Sequence, residues 1–466
     1  MSIEYGGYTD KIADNIVNAN FEDIEKDALE NAKLRILDVT GCIIGGMNGF
    51  GNRHLITKLK DWGGKQESSI FMYGGKIPAQ QAAMANCVIA RSYDFESIRA
   101  RVNGQNLPSH ISGTTVPTAL TLADAVRCSG KELIIALLLG DDFSCRLLAA
   151  SGFDFVGGWD GVGTVNAFGA TAIAARLLGL TKDQTVNALG IVLNKLAGSF
   201  QGIYDGASTF KLLQGFSAQN GVVAAEYAKI GLTGVSDALM SKFGYFALYT
   251  GGCSSPSILI ENLGKVFHTE QTFKLYPCCR STHDSVEAAL KLIGENDVDV
   301  DQISKITLRV PASVLNMFVS QPWGIRTAPQ IDAAFNVRYC VANVLLRKGI
   351  LLEHFLEDTI REEAISKIVD KISLIELEKP FAPDLGASLS LEMDNGRIIT
   401  AEADYPKGEP ELYPAAKNEL IEKFYCNVAF SKAIDTRKAD RILDLIERFE
   451  EIEDVGELTG LLICDN

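Results

Sequence analysis

Residues 274–284, Lys-Leu-Tyr-Pro-Cys-Cys-Arg-Ser-Thr-His-Asp, put a lysine, an arginine, two thiols, a histidine and a carboxylate into one short stretch. These are side chains that grip carboxylates and move protons. Ser281 and Asp284 have capping-box spacing ahead of a helix carrying Val286 and Ile293, so Cys279 and Arg280 are expected near a helix start, where anions and thiolates are favoured. A cysteine nucleophile needs a base and an orienting partner. His283 could supply the base, and Cys278 reads as a structural thiol. A second set follows Ser92: Asp94, Glu96, Arg99, Arg101 and His110 lie in a stretch bounded by Gly and Pro between two apolar helices. Function concentrates on loops held by rigid scaffolds, although a solvated connection has the same composition. The third is the glycine-rich run Gly157 to Thr164, which contains Asp160 and opens an Ala-rich helix. Backbone N–H groups there could meet an anion. The Gly-Lys-Ser/Thr ending of a phosphate loop and the spacing of a dinucleotide fingerprint are both missing, and a tight structural turn is the plain alternative.

Helices must position these groups in the first half. Ile24, Ala28, Ala32, Ile36 and Val39 recur at helical spacing from Phe21 to about Gly46. Small-residue helices are readable at about 80–92, 115–127, 131–150, 165–179, 183–197 and 215–231, with Thr181-x-x-Gln184 as a capping box at the start of one. The pattern changes after Lys274. Lys305 to Val310 and part of Lys371 to Leu377 alternate as strands, and Ser388–Met393 with Arg397–Ala403 flank the hairpin signal Asn395-Gly396. A helix from about Ala333 to Arg347 sits among them, and helix returns after Leu412. The expected fold is mainly α: a large all-helical domain over 1–270, joined by a helical tail over 406–466, and a smaller α+β domain over 271–405.

The 466 residues, 47% hydrophobic and 22% charged, describe a globular chain of two or three domains by length. The apolar runs are shorter than the about 20 residues of a membrane span, and the amino terminus lacks the pattern of a secretory signal. Cytoplasm is therefore the expected compartment, with no membrane partner. A net charge of −15 argues against nucleic acid but permits an anionic substrate, because a local basic cluster outweighs distant, screened charge. The ten cysteines include no Cys-x-x-Cys pair, which argues against zinc ribbons, iron–sulfur sites and a disulfide framework.

In order and spacing, ILDVTGCIIGG, SHISGTTVPTALTLADAV, FGATAIAARLLGLTKDQTVNALGI, GFSAQNGVVAAEYAKIGLTGV and KLYPCCRSTHDSVEAAL resemble the MmgE/PrpD family along almost the whole chain. That family includes 2-methylcitrate dehydratase, cis-aconitate decarboxylase and iminodisuccinate epimerase. The resemblance implies a helical first domain, a smaller α+β domain, a homodimer, and no metal or organic cofactor. It matches Asp94 to the first acid of an Asp-Phe-Asp-Asp-Thr motif and His110 to the histidine of a His-Pro-Ser/Gly-like segment. Lys274 and His283 match a lysine and a histidine around the second-domain helix, and Tyr339 matches a tyrosine before a Val-Ala run. The departures are specific. Glu96-Ser97-Ile98 replaces Asp-Asp-Thr, Asp160 and Cys279 stand at usual histidine positions, and Lys211 is one residue out of register with the family lysine.

What the resemblance implies is proton abstraction next to a carboxylate of a small di- or tricarboxylic acid. His110, Asp94, Cys279, His283 and Tyr339 are the candidates for proton transfer; Lys274, Arg280, Arg101 and Lys211, with Asp160, for holding substrate. A dehydratase-like lyase ranks first and an epimerase or isomerase second. Decarboxylation ranks third, because Asp160 puts an anion where a proton donor or carboxylate partner is usual. A non-catalytic polycarboxylate-binding protein is the alternative from another class.

Overall fold

The computed structural model describes residues 7–152 and 155–464. Helices carry the first half. Those that frame the site are, in chain order, α1 (Lys26–Gly46), α2 (Ala79–Ala90), α3 (Ser112–Val126), α4 (Gly130–Ser151), α5 (Gly161–Leu177), α6 (Lys182–Val192) and α7 (Thr209–Lys229). Almost all of α5 is buried between α4 and α7. Glycine makes this possible: a Cβ on Gly169 would collide with Ser144 and the Gly140 carbonyl, and one on Gly221 with Ala170. The capping box of α6 forms as expected, with Gln184 N donating to Thr181 Oγ1 at 3.3 Å and Thr181 N donating to Gln184 Oε1 at 2.9 Å. α7 starts earlier than its periodicity suggests, because the polar Lys211 and Gln214 in its first turns are themselves buried.

The stretch between α2 and α3, read from sequence as loop, is partly sheet. Strand β1 (Ile98–Val102) is central to a three-stranded antiparallel sheet, with β2 (Gln105–Leu107) on one side and the distant β3 (Thr269–Thr272) on the other. Glu270 of β3 then fixes the start of α3 by accepting from Ile111 N at 2.7 Å and Ser112 N at 2.8 Å. These pairings span about a third of the chain, and local pattern carries no trace of them.

The second half is the expected α+β module. After α8 (His283–Glu295), β4 (Ile303–Val310) is central to a sheet of order β5-β4-β6-β7, where β5 is Ile372–Glu376, β6 Ala387–Met393 and β7 Ile398–Ala403. β4 runs parallel to β5 and antiparallel to β6, and Gly396 turns the β6–β7 hairpin at φ 82°. α8 packs on β6 and β7 and on α9 (Val337–Arg347). The helix expected from Ala333 to Arg347 is broken before α9, where Asn336 Oδ1 accepts from Arg338 N and Tyr339 N as an N-cap. The capping box expected at Ser281 and Asp284 does not form. Residues 280–282 make a tight turn, and the Asp284 carboxylate accepts from Arg280 and from Gly386 N instead.

Helix α10 (Lys417–Ser431) returns to α1, whose Gly41 and Gly45 leave room for Phe424 and Asn427. Phe424, Val428 and Ile442 share one core with the amino-terminal helices. A second core underlies the α+β module and takes in Tyr93, Phe95, Ile203 and Phe210 from the first half. Among the described residues, no helix is long and apolar enough to cross a membrane.

Candidate functional site

A cavity of about 380 Å³ opens where the two cores meet. Arg91, Arg99, Ser109, His110, Asp160, Cys279, Arg280 and Asp384 give it one charged end.

Arg91 organises that end. It follows the last turn of α2 and is 2% exposed. Its Nη1 forms very short ion pairs with Asp94 Oδ1 and Glu96 Oε1 and lies 2.9 Å from His110 Nδ1. An Nη1 atom carries two protons, and the two carboxylates take both. His110 Nδ1 therefore carries its own proton and donates it to Glu96 Oε1 at 3.2 Å. The opposite ring nitrogen, Nε2, therefore keeps its lone pair, and His110 lines the cavity. Burial, and then the neighbouring Arg91 charge, bring the His110 pKa down to about 4, so the imidazole is neutral near pH 7. The Glu96 carboxyl lies well below the carboxylate range: Arg91 and the His110 hydrogen bond overcome the opposing cost of burial. Asp94, Glu96 and His110 bring three donor atoms within 4.8 Å of one another, as a metal site would. Here the guanidinium sits on the point where they converge and supplies the positive charge.

Supports behind this cluster hold it in place. Lys274, fully buried, pairs with Asp94 Oδ2 at 2.8 Å and donates to the Asp94 carbonyl at 2.6 Å. Lys423 on α10 donates to the Phe95 and Lys274 carbonyls and pairs with Asp38. Asn166 and Gln214 both donate to the His110 carbonyl. Asp94 (φ 50°) and Arg99 (φ 63°) adopt left-handed backbone, which costs on the order of 1–3 kcal/mol each and persists where surroundings over-determine it.

Across the cavity, Glu409 bridges two guanidinium groups, Arg99 Nη1 at 3.0 Å and Arg280 Nη2 at 2.6 Å. Arg99 also pairs with Asp384, and Arg280 with Asp284. Burial, reinforced by the Asp94 charge, pushes the Cys279 thiol up to about 12. It is therefore a thiol and not a thiolate near neutrality, contrary to the expectation from a helix start. Asp160 caps α5 by accepting from Val162 N at 2.9 Å, so its own carboxylate occupies the anion position that the glycine-rich run offers. Burial raises the Asp160 carboxyl.

The sequence-derived residues thus divide. His110, Asp160, Cys279 and Arg280 line one cavity, with Asp94 and Lys274 directly behind His110 and Arg91. The other four lie elsewhere. Tyr339 stacks on Trp323 in the second core, and its hydroxyl donates to the His354 carbonyl. His283 is fully buried with Nε2 3.2 Å from the Cys278 carbonyl; a carbonyl only accepts, so Nε2 holds the proton. Arg101 points along β1 to Asn106 and Glu411. Lys211 donates to the Phe50 carbonyl and Asn52 Oδ1, has no carboxylate partner among the described residues, and is brought down to about 7 by burial. Arg91 and Glu409 stand outside the sequence-derived set. Arg91 had a usable signal, a cation three residues before Asp94 and five before Glu96. Glu409, far along the chain from Arg99 and Arg280, had none.

A two-module helical protein with a buried acid–base cluster at the junction is the class these features define. The chain matches the MmgE/PrpD N-terminal domain over residues 10–256 and the MmgE/PrpD C-terminal domain over residues 276–451, and it belongs to that family. It is similar to a cis-aconitate decarboxylase-like protein of Aspergillus oryzae (25% identical, covering 98% of this chain and 97% of that one). It is also similar to the cis-aconitate decarboxylase of Aspergillus terreus (26%, covering 98% and 96%) and the 2-methylcitrate dehydratase of Salmonella typhimurium (23%, covering 91% of each).

Proposed function

We propose that this protein is a cofactor-independent lyase that removes a proton next to a carboxylate of a small di- or tricarboxylic acid, with His110 Nε2 as the base. The observation that carries this reading is the proton count at Arg91 Nη1, which leaves a neutral imidazole with its Nε2 lone pair free on a residue that lines the cavity. Similarity to enzymes named for cis-aconitate and 2-methylcitrate supports the substrate class. Arg99 and Arg280 supply positive charge for substrate carboxylates and for the enolate that proton removal creates. Among the described residues the buried Arg280 Nε–H has no hydrogen-bond partner, an unspent donor at this end. Departure of a β-hydroxyl needs a proton. Cys279 on the cavity wall, held as a thiol, can give one.

Dehydration is the expected outcome with 2-methylcitrate, citrate or a malate-like acid: alkene absorbance grows in the ultraviolet. If none of these forms alkene, the hydro-lyase reading fails. Deuterium uptake from D2O into a chiral dicarboxylate without elimination would select the epimerase, for which Cys279 would be the second acid–base group. Carbon dioxide release from cis-aconitate would select the decarboxylase. Ligand-dependent thermal shifts with no reaction would select a binding protein.

The homodimer belongs to the same reading. Phe216, Tyr227 and Ile230 fall on one outward face of α7 and are 41%, 46% and 77% exposed. Light scattering should give twice the 50.5 kDa chain mass, and Ile230→Glu should shift it toward one. A monomeric parent protein would refute this assembly.

A further inference from the structure

Most of the cavity wall is not charged. Away from His110 and the arginines it includes Phe200, Ile203, Val314, Met317, Phe318 and Phe335, six side chains without a polar group beyond the Met317 thioether. The apolar part runs directly into the charged part. Arg91 lies over the Phe210 ring at 5.3 Å, Phe210 meets Phe335 edge-on at 5.3 Å, Phe335 meets Phe318 at 5.8 Å, and Phe318 meets Phe200 at 5.7 Å. Cys279 N donates to the carbonyl of Ala334, the residue before Phe335, which ties the two ends together.

A small polyacid such as citrate carries oxygen on almost every side. Seated at the charged end, it would leave this aromatic wall facing water. The cavity, at about 380 Å³, is also within the range of about 300–1,000 Å³ that holds drug-sized ligands. We propose that the substrate is a polycarboxylic acid bearing an alkyl substituent of several carbons, with the acid groups at His110, Arg99 and Arg280 and the tail packed against Phe200, Met317, Phe318 and Phe335. This rests on the lyase reading for the acid end and adds the tail. The wall also sets a limit. Ile203, Phe318 and Phe335 back onto a smaller cavity of about 220 Å³ whose far side carries the Arg326–Asp332 ion pair, so a tail that outgrows the aromatic wall meets charge. A medium-length chain fits, and a fatty-acid chain does not.

Two substrate series test this. Succinates with methyl, propyl and hexyl substituents lack a leaving hydroxyl and report binding alone by calorimetry; the matching alkylcitrates report turnover. Affinity and kcat/KM should each rise about fourfold per added methylene while the tail lies against apolar wall. Met317→Gln, at a half-buried position outside the tightest packing, should cut the hexyl-to-methyl affinity ratio at least tenfold. Affinity independent of chain length, or falling beyond methyl, overturns the tail. So does a Met317→Gln variant that is folded by circular dichroism and keeps the full ratio. The lyase reading fails separately: chain-length-dependent binding with no turnover of any alkylcitrate leaves the tail standing and removes the lyase. Turnover of citrate and methylcitrate without a chain-length effect does the reverse.

Discussion

Replacing His110 with glutamine should lower kcat about 10²- to 10⁴-fold, the usual contribution of a positioned base, while leaving the thermal midpoint within a few degrees of the parent. The two halves of this expectation have different causes. His110 is the member of the cluster that reaches the cavity, with a side chain 28% exposed, so glutamine can replace its packing and its bond to Glu96 without leaving a buried charge unpaired. Only the Nε2 lone pair is lost. The pH dependence sharpens the test. Because kcat/KM reports the free enzyme, its acidic limb should fall near the His110 pKa of about 4, with activity lost as the pH drops through that value. A bound polyanion stabilises the imidazolium, so the acidic limb of kcat should lie at higher pH than that of kcat/KM. On the alkaline side Cys279 stays protonated up to about 12, and activity should show no thiol limb at neutral pH. A His110→Gln enzyme with parental kcat, or a kcat/KM limb at the ordinary histidine value, removes His110 from the role of base.

How far this site could be read in advance depended on how local its causes were. The small-residue helices and the β6–β7 hairpin follow from spacing alone, because Ala, Gly and Asn-Gly act within a few residues. Asp94, His110, Cys279 and Arg280 stand out in the sequence because each lies in a short stretch rich in chemistry. What stayed hidden was whatever depends on distant chain. Pairing of Ile98 with Thr272 turns an apparent loop into sheet and carries Arg99 toward Glu409. Tyr339 is the converse case: the resemblance matches it to a family tyrosine before a Val-Ala run, yet the same run buries it in the second core. The Cys279 thiol departs from the helix-start expectation for a similar reason. A helix start lowers a thiol pKa only where the charge is exposed to that field, and burial here outweighs it.

Replacing Arg91 with methionine should be the most destabilising single change at the site, by about 3–5 kcal/mol. Against a typical stability of about 5–15 kcal/mol, that is a large share. The cost is not the value of the ion pairs themselves. Desolvation of the guanidinium and two carboxylates consumes most of the Coulombic gain while all three are present. Without Arg91, Asp94 keeps Lys274 at 2.8 Å, but Glu96, fully buried, keeps only the neutral His110. Its carboxyl then changes character. In the parent its pKa is depressed, so the stability it contributes is present above the unfolded value of about 4.3 and is lost as pH falls. In Arg91→Met, burial raises it instead, and the variant recovers stability on acidification as the buried charge is neutralised. The gap between parent and variant, measured by urea unfolding, should therefore be larger at about pH 7.5 than at about pH 5.5. Adding Glu96→Gln to Arg91→Met should restore part of the loss, because the second change removes the uncompensated charge that the first created. If the two losses simply add and the gap is the same at both pH values, Arg91 acts by packing against Phe210 and not by neutralising the carboxylates, and the proton count that assigns His110 its tautomer loses its basis.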